Sequence, residues 1–130
     1  LTYYPDSIYS YPTKIVSAID IDQLGNIWSC HQNTPGKRNG VSIFDGTAFL
    51  NKYYGTASNS LNDVYVDNNN QKWISTIEGL VLVKQDGSTT IFNKSNSLVS
   101  SNAITSCCKD LEGNLWITTF GGGLNKLKNQ

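Results

Sequence analysis

Polar and apolar residues alternate along this chain in short runs, and the runs recur three times in one order. The first run of each set is Val16-Ser-Ala-Ile19-Asp-Ile21, Leu61-Asn-Asp-Val64-Tyr-Val66 and Ile104-Thr-Ser-Cys107-Cys108. β-Branched and aliphatic residues interleaved with small polar ones predict strands, buried on both faces. Helical periodicity is absent throughout. A turn and a second strand follow each run: Asp22-Gln-Leu-Gly25-Asn26-Ile-Trp28, Asp67-Asn-Asn-Asn70-Gln71-Lys-Trp73 and Asp110-Leu-Glu-Gly113-Asn114-Leu-Trp116. In every copy the Asp precedes the Trp by six positions, and the tryptophans lie 45 and 43 apart. The apolar residues Val16, Leu61 and Ile104 each stand twelve positions before their Trp.

A period of that size with several short strands per unit is the signature of a β-propeller blade. The pattern supplies the remaining strands. After a glycine comes a third run, Val41-Ser-Ile43-Phe44, Leu80-Val-Leu82-Val83 or Leu124-Asn-Lys-Leu127. Turns at Asp45-Gly46 and Asp86-Gly87 lead to outer strands at Ala48–Tyr54 and Thr89–Phe92. The expected architecture is all-β, with three four-stranded antiparallel blades forming a partial propeller or a ring completed by oligomerisation. Blade one covers 14–58, blade two 59–100, and 101–130 supplies the first three strands of blade three. Residues 1–13 hold an outer strand and loop, because Tyr4 stands twelve before Val16 as Phe92 stands twelve before Ile104.

Each turn explains its own residues. Asp bonds the amides ahead of it, and Gly25 and Gly113 supply a positive φ; Asn70 holds that place in unit two as the residue best able to replace glycine. Asp22, Asp67 and Asp110 could instead suggest calcium, but the further carboxylates of an EF-hand loop are missing. Trp28, Trp73 and Trp116 read as packing between blades, since periodic aromatics mark a core. A sugar-stacking row is the alternative.

Composition narrows the function. A net charge of zero, with basic residues scattered, removes the electrostatic case for nucleic acid or an anionic membrane. No apolar run approaches the ~20 residues of a membrane helix, and no signal peptide opens the chain. The chain begins at Leu1 and contains no Met, which reads as a processed product or an excised piece. Cys30, Cys107 and Cys108 are odd in number and lack ligand spacing, so neither zinc nor a disulfide framework is expected; burial would protect the thiols in an oxidising compartment.

The stretch Asn102-Ala-Ile104 to Asp110-Leu-Glu-Gly113-Asn114-Leu-Trp116-Ile-Thr-Thr119-Phe-Gly-Gly-Gly123-Leu124 resembles the two-component regulator propeller repeat. Units one and two resemble it less closely, through an insert at Cys30–Asn39 and the Asn70-Gln71 substitution. The resemblance implies the periplasmic sensor region of a Bacteroidetes-type hybrid two-component system. It also implies recognition of carbohydrate or a carbohydrate-derived signal, and it does not imply catalysis by these blades; no cofactor is expected. The kinase would lie elsewhere in a parent chain.

In such blades the loops between second and third strands, and those entering the first strands, share one face, where binding residues concentrate. His31, Asn33, Lys37, Arg38, Glu78 and Phe120 are the candidate ligand contacts there, with Tyr9, Tyr11 and Asn96 nearby. Polar and charged groups suit sugar hydroxyls or a carboxylate, and an aromatic suits a sugar face. Two other classes compete. A structural or protein-interaction module needs no small ligand. A lyase or hydrolase would need paired titratable groups, for which only His31, Glu78 and Asp63 are candidates. Three blades do not close a ring, so the chain either pairs with a second copy as a six-bladed ring or belongs with the remaining blades of a longer parent.

Overall fold

The computed structural model describes residues 1–5, 15–32, 40–54 and 61–129. Eleven strands form three antiparallel sheets among them. The first sheet runs in chain order through β1 (Ile15–Ile21), β2 (Ile27–Gln32), β3 (Val41–Phe44) and β4 (Phe49–Lys52). The second does the same with β5 (Leu61–Val66), β6 (Lys72–Thr76), β7 (Gly79–Val83) and β8 (Thr89–Phe92). The third holds β9 (Ile104–Lys109), β10 (Leu115–Thr119) and β11 (Leu124–Leu127). Each sheet is a meander, so every strand pairs with its chain neighbour and register follows from the tight turns.

The sheets stack face to face, with β5 beside both β1 and β9. Strand alternation then sends successive side chains to opposite sheets. Trp28, Cys30 and Val41 of the first sheet meet Leu61, Val64, Ile74, Val81 and Val83 of the second. Trp73, Leu80 and Leu82 of the second meet Ile104, Cys107, Leu115 and Ile117 of the third. These two interfaces are the core.

All three sheets carry the same register shift early in the inner strand, between Val16 and Ala18, between Leu61 and Asp63, and opposite Thr118 and Thr119. In the first two sheets the shift frees one side chain to cross to the next. Ser17 Oγ donates to the Leu61 carbonyl at 2.6 Å, and Asn62 Nδ2 donates to the Ile104 carbonyl at 2.7 Å.

The glycine at the start of the third strand has a steric cause in the first two sheets. A Cβ on Gly40 would come within 2.5 Å of the Lys52 carbonyl oxygen, and one on Gly79 within 2.6 Å of the Phe92 carbonyl oxygen. Both oxygens belong to the outer strand. Gly123, whose sheet has no outer strand among the described residues, meets nothing.

Two expectations change. β1 is not buried on both faces: Val16, Ile19 and Ile21 are exposed because no sheet lies before it among the described residues. Leu1 to Pro5 takes no strand conformation, and Tyr4 packs instead on Phe44 and Phe49, with ring centroids 5.2 and 6.0 Å away.

Candidate functional site

The six-residue spacing of Asp and Trp is a hydrogen bond. The indole Nε1 of Trp28 donates to Asp22 at 3.0 Å, that of Trp73 to Asp67 at 3.0 Å, and that of Trp116 to Asp110 at 2.8 Å. The other carboxylate oxygen accepts the amides two and four residues on, as Asp22 does from Leu24 and Asn26. One side chain thus closes the turn and fixes the Trp rotamer. Asn70 adopts the positive φ of 57° required of it.

A lysine of the following sheet completes the first two junctions. Lys72 Nζ lies 3.7 Å from Asp22 and 4.9 Å from the Trp28 ring centroid. Lys109 Nζ lies 2.7 Å from Asp67 and 5.7 Å from the Trp73 ring centroid. An aromatic stacks on each of these two indoles, Tyr54, two residues beyond β4, on Trp28 and Phe92 of β8 on Trp73, both with centroids 6.3 Å apart. Trp28 and Trp73 are buried, whereas Trp116 is half-buried under Lys126 of its own sheet, 4.9 Å above the ring.

These contacts set the carboxyl groups. Burial works to raise the Asp67 carboxyl, but bonds from Lys109, Trp73 and the Gln71 amide outweigh it and hold it below its ordinary value. Asp22 is lowered the same way against burial, by Trp28, Asn26 and Leu24. Bonds from Asn114 and Trp116 bring Asp110 to about 2. Among the described residues no cluster of His, Cys, Asp and Glu could hold a metal ion, and these carboxylates are occupied in closing turns.

The face opposite these turns holds Glu78 and Phe120 of the ligand candidates. Glu78 is exposed in the β6–β7 turn, where Thr76 Oγ1 accepts its amide at 3.0 Å and donates to the Gly79 carbonyl at 2.8 Å. Thr119 braces the β10–β11 turn likewise, bonding Gly122 and Gly123, and leaves Phe120 79% exposed. The connection from β8 to β9 is tied to that turn, with Phe120 N donating to the Ala103 carbonyl at 2.8 Å and Ser100 Oγ to that of Gly122 at 2.6 Å. Asn96 is used inside the connection, bonding Asn93 and Ile91.

His31 is not a loop residue. It is the fifth residue of β2, 1% exposed, at the position Thr76 and Thr119 hold in the other sheets, and its Nε2 lies 3.2 Å from Ser29 Oγ. The β2 strand runs two residues beyond the point at which a loop was expected. Asn33, Lys37 and Arg38, with Tyr9 and Tyr11, lie outside the described residues. Asp63 bonds Ser106 of the next sheet, so His31, Glu78 and Asp63 occupy three unrelated settings.

Sequence reasoning missed Lys72 and Lys109. Their signal lies in cross-strand pairing: Val66 pairs Lys72, and Lys109 pairs Leu115, so the lysine occupies the same cross-strand pair from opposite strands. The thiols also divide. Cys30 and Cys107 are buried, which pushes both thiols up, Cys107 to about 12, whereas Cys108 is exposed.

No family model and no curated protein matches the chain. Solved structures do. The chain superposes on the extracellular domain assigned to the hybrid two component system BT3049 of B. thetaiotaomicron with a TM-score of 0.74 and 22% identity, covering 98% of this chain and 19% of that one. PorZ, an essential surface component of the type-IX secretion system of Porphyromonas gingivalis, gives 0.70 at 23% identity, over 87% of this chain and 17% of that one. Virginiamycin B lyase from Staphylococcus aureus gives 0.64 at 11% identity, over 88% and 41%. The chain is a partial β-propeller. It spans about a fifth of the first two structures. The likeness to BT3049 agrees with the propeller fold expected from the repeat.

Proposed function

We propose that this chain is a ligand-sensing segment of the extracellular, periplasmic propeller of a two-component signalling receptor, and that its ligand is a carbohydrate or a carbohydrate-derived signal. The observation that carries this reading is the agreement between the repeat and the BT3049 likeness across 98% of the chain. The turns of the second and third sheets fit it, since braced loops present an acidic side chain at Glu78 and an open ring at Phe120. A carboxylate and a ring face are what sugar hydroxyls and a sugar ring require. Asn33, Lys37 and Arg38 belong to the same proposed surface. The kinase lies elsewhere in the parent chain, and these blades perform no catalysis: Asp63 is engaged by Ser106 and His31 is buried.

A calorimetric titration of the chain with neutral and acidic oligosaccharides tests this. The expected result is saturable binding that weakens at least about tenfold in Glu78→Ala or Phe120→Ala, with unchanged melting temperature because both side chains are exposed. Capture of protein partners without any glycan binding would overturn it. That result would favour an interaction module, a reading supported by the exposed Val16, Ile19, Ile21 and Ile27 on the first sheet.

A further inference from the structure

We infer that the open face of the third sheet docks a further β-sheet that brings a lysine or arginine onto Asp110 and Trp116, and that a second copy of this chain is not that sheet. The inference is independent of what ligand the segment senses.

The two junctions within the chain define the rule. In each, a carboxylate and an indole on one sheet meet an ammonium from the inner cross-strand pair of the next, at 3.7 and 2.7 Å from the carboxylate. Both carboxylates are buried there, Asp67 to 3% exposure. A carboxylate enclosed without a cation is costly, so the cation is part of the fit. The third sheet repeats the accepting half of this arrangement. Asp110 and Trp116 are bonded as their counterparts are, yet Asp110 has no ion pair among the described residues. Around it the face is unfinished. Leu124 and Cys108 are exposed, and they hold the register of Leu80 and Tyr65, which pack into the junction between the second and third sheets.

The other end of the chain lacks the matching half. In the first sheet the cross-strand pair is Ile21 with Ile27, two exposed aliphatic residues where the second sheet has Val66 with Lys72 and the third has Lys109 with Leu115. Set against a third sheet, that pair would enclose Asp110 with two isoleucines. Tyr4, the residue placed to complete a neighbouring sheet, is already packed on Phe44 and Phe49. The occupant is therefore another blade with a basic residue at this pair.

The test grafts that chemistry onto a second copy. Wild-type chain, Ile27→Lys and Ile27→Lys/Asp110→Ala are compared by light scattering over a wide concentration range, with the alkylation rate of Cys108 followed in parallel. Wild type is expected to keep the mass of a single 14.3 kDa chain with Cys108 freely reactive. Ile27→Lys is expected to associate at least about tenfold more tightly and to protect Cys108, and Asp110→Ala is expected to reverse both effects. The second sheet already carries lysine at this position, so the strand tolerates it. Ile21→Lys, at the position of Lys109, is the second variant should the first not fold. A wild-type dimer that protects Cys108 would overturn the inference, because the aliphatic pair would then suffice. Ile27→Lys and Ile21→Lys chains that stay single and reactive would also overturn it, and would show that Lys126 closes the face from its own sheet.

Discussion

Lys109 leaves the third sheet to place its ammonium 2.7 Å from the Asp67 carboxylate of the second, above the ring of the tryptophan that Asp67 holds. Lys72 reaches Asp22 and Trp28 in the same way but stops at 3.7 Å. In each of the first two sheets one aspartate therefore closes its own turn, orients its own indole and receives a cation from the next sheet. Local and inter-sheet structure share a single side chain.

The two lysines should differ in weight. Lys109→Met leaves the more deeply buried carboxylate without its cation, at a cost of about 2 kcal/mol. Lys72→Met breaks a longer contact and costs about 1 kcal/mol. Urea denaturation of both variants measures the difference, and equal losses would contradict it.

Acid should unfold the chain through these same groups. Asp22, Asp67 and Asp110 all titrate lower in the folded chain than their ordinary value of 3.8. Ionised carboxylates thus favour the folded state. Their contribution is complete above about pH 4 and is lost as the pH falls toward 2, where Asp110 itself protonates. Melting temperatures taken down through this range should drop, and Asp67→Asn should flatten the drop.

The cysteines should react one at a time. Cys108 is exposed, while Cys30 and Cys107 are enclosed between sheets and held as thiols. A maleimide is expected to modify one thiol per native chain and all three in denaturant. Fast native labelling of a second thiol would show that a junction opens readily.

Asn70 should tolerate glycine better than alanine. Its φ of 57° suits either Asn or Gly, and its side chain also accepts the Gln23 amide of the first sheet at 3.0 Å. Asn70→Ala is expected to cost about 1–2 kcal/mol through strain plus the lost bond, and Asn70→Gly to cost less. Thermal melts of the two variants give the order.

The sequence shows the repeat because its causes are local. The Asp-to-Trp interval is one hydrogen bond, the turn glycines are set by backbone φ, and Gly40 and Gly79 are set by an outer-strand carbonyl. What lies between sheets is less legible. Lys72 and Lys109 stand at different repeat positions, one before the Trp and one before the Asp, and only cross-strand pairing shows that they are equivalent. His31 reads as a loop residue because the insert after it is polar, yet it continues β2 and is buried. The exposure of β1 and of Cys108 is likewise not local, since it depends on which sheet lies alongside.

The central claim is that a cation from the next sheet keys the Asp22–Trp28 and Asp67–Trp73 pairs, and a double-mutant cycle tests it most directly. Denaturation of wild type, Asp67→Asn, Lys109→Met and the double variant gives the coupling between the two side chains. The account predicts that each single change is costly and that the second adds little, with a coupling of about 1–3 kcal/mol. Additive losses would mean that Lys109 and Asp67 stabilise the stack separately, and would contradict the claim.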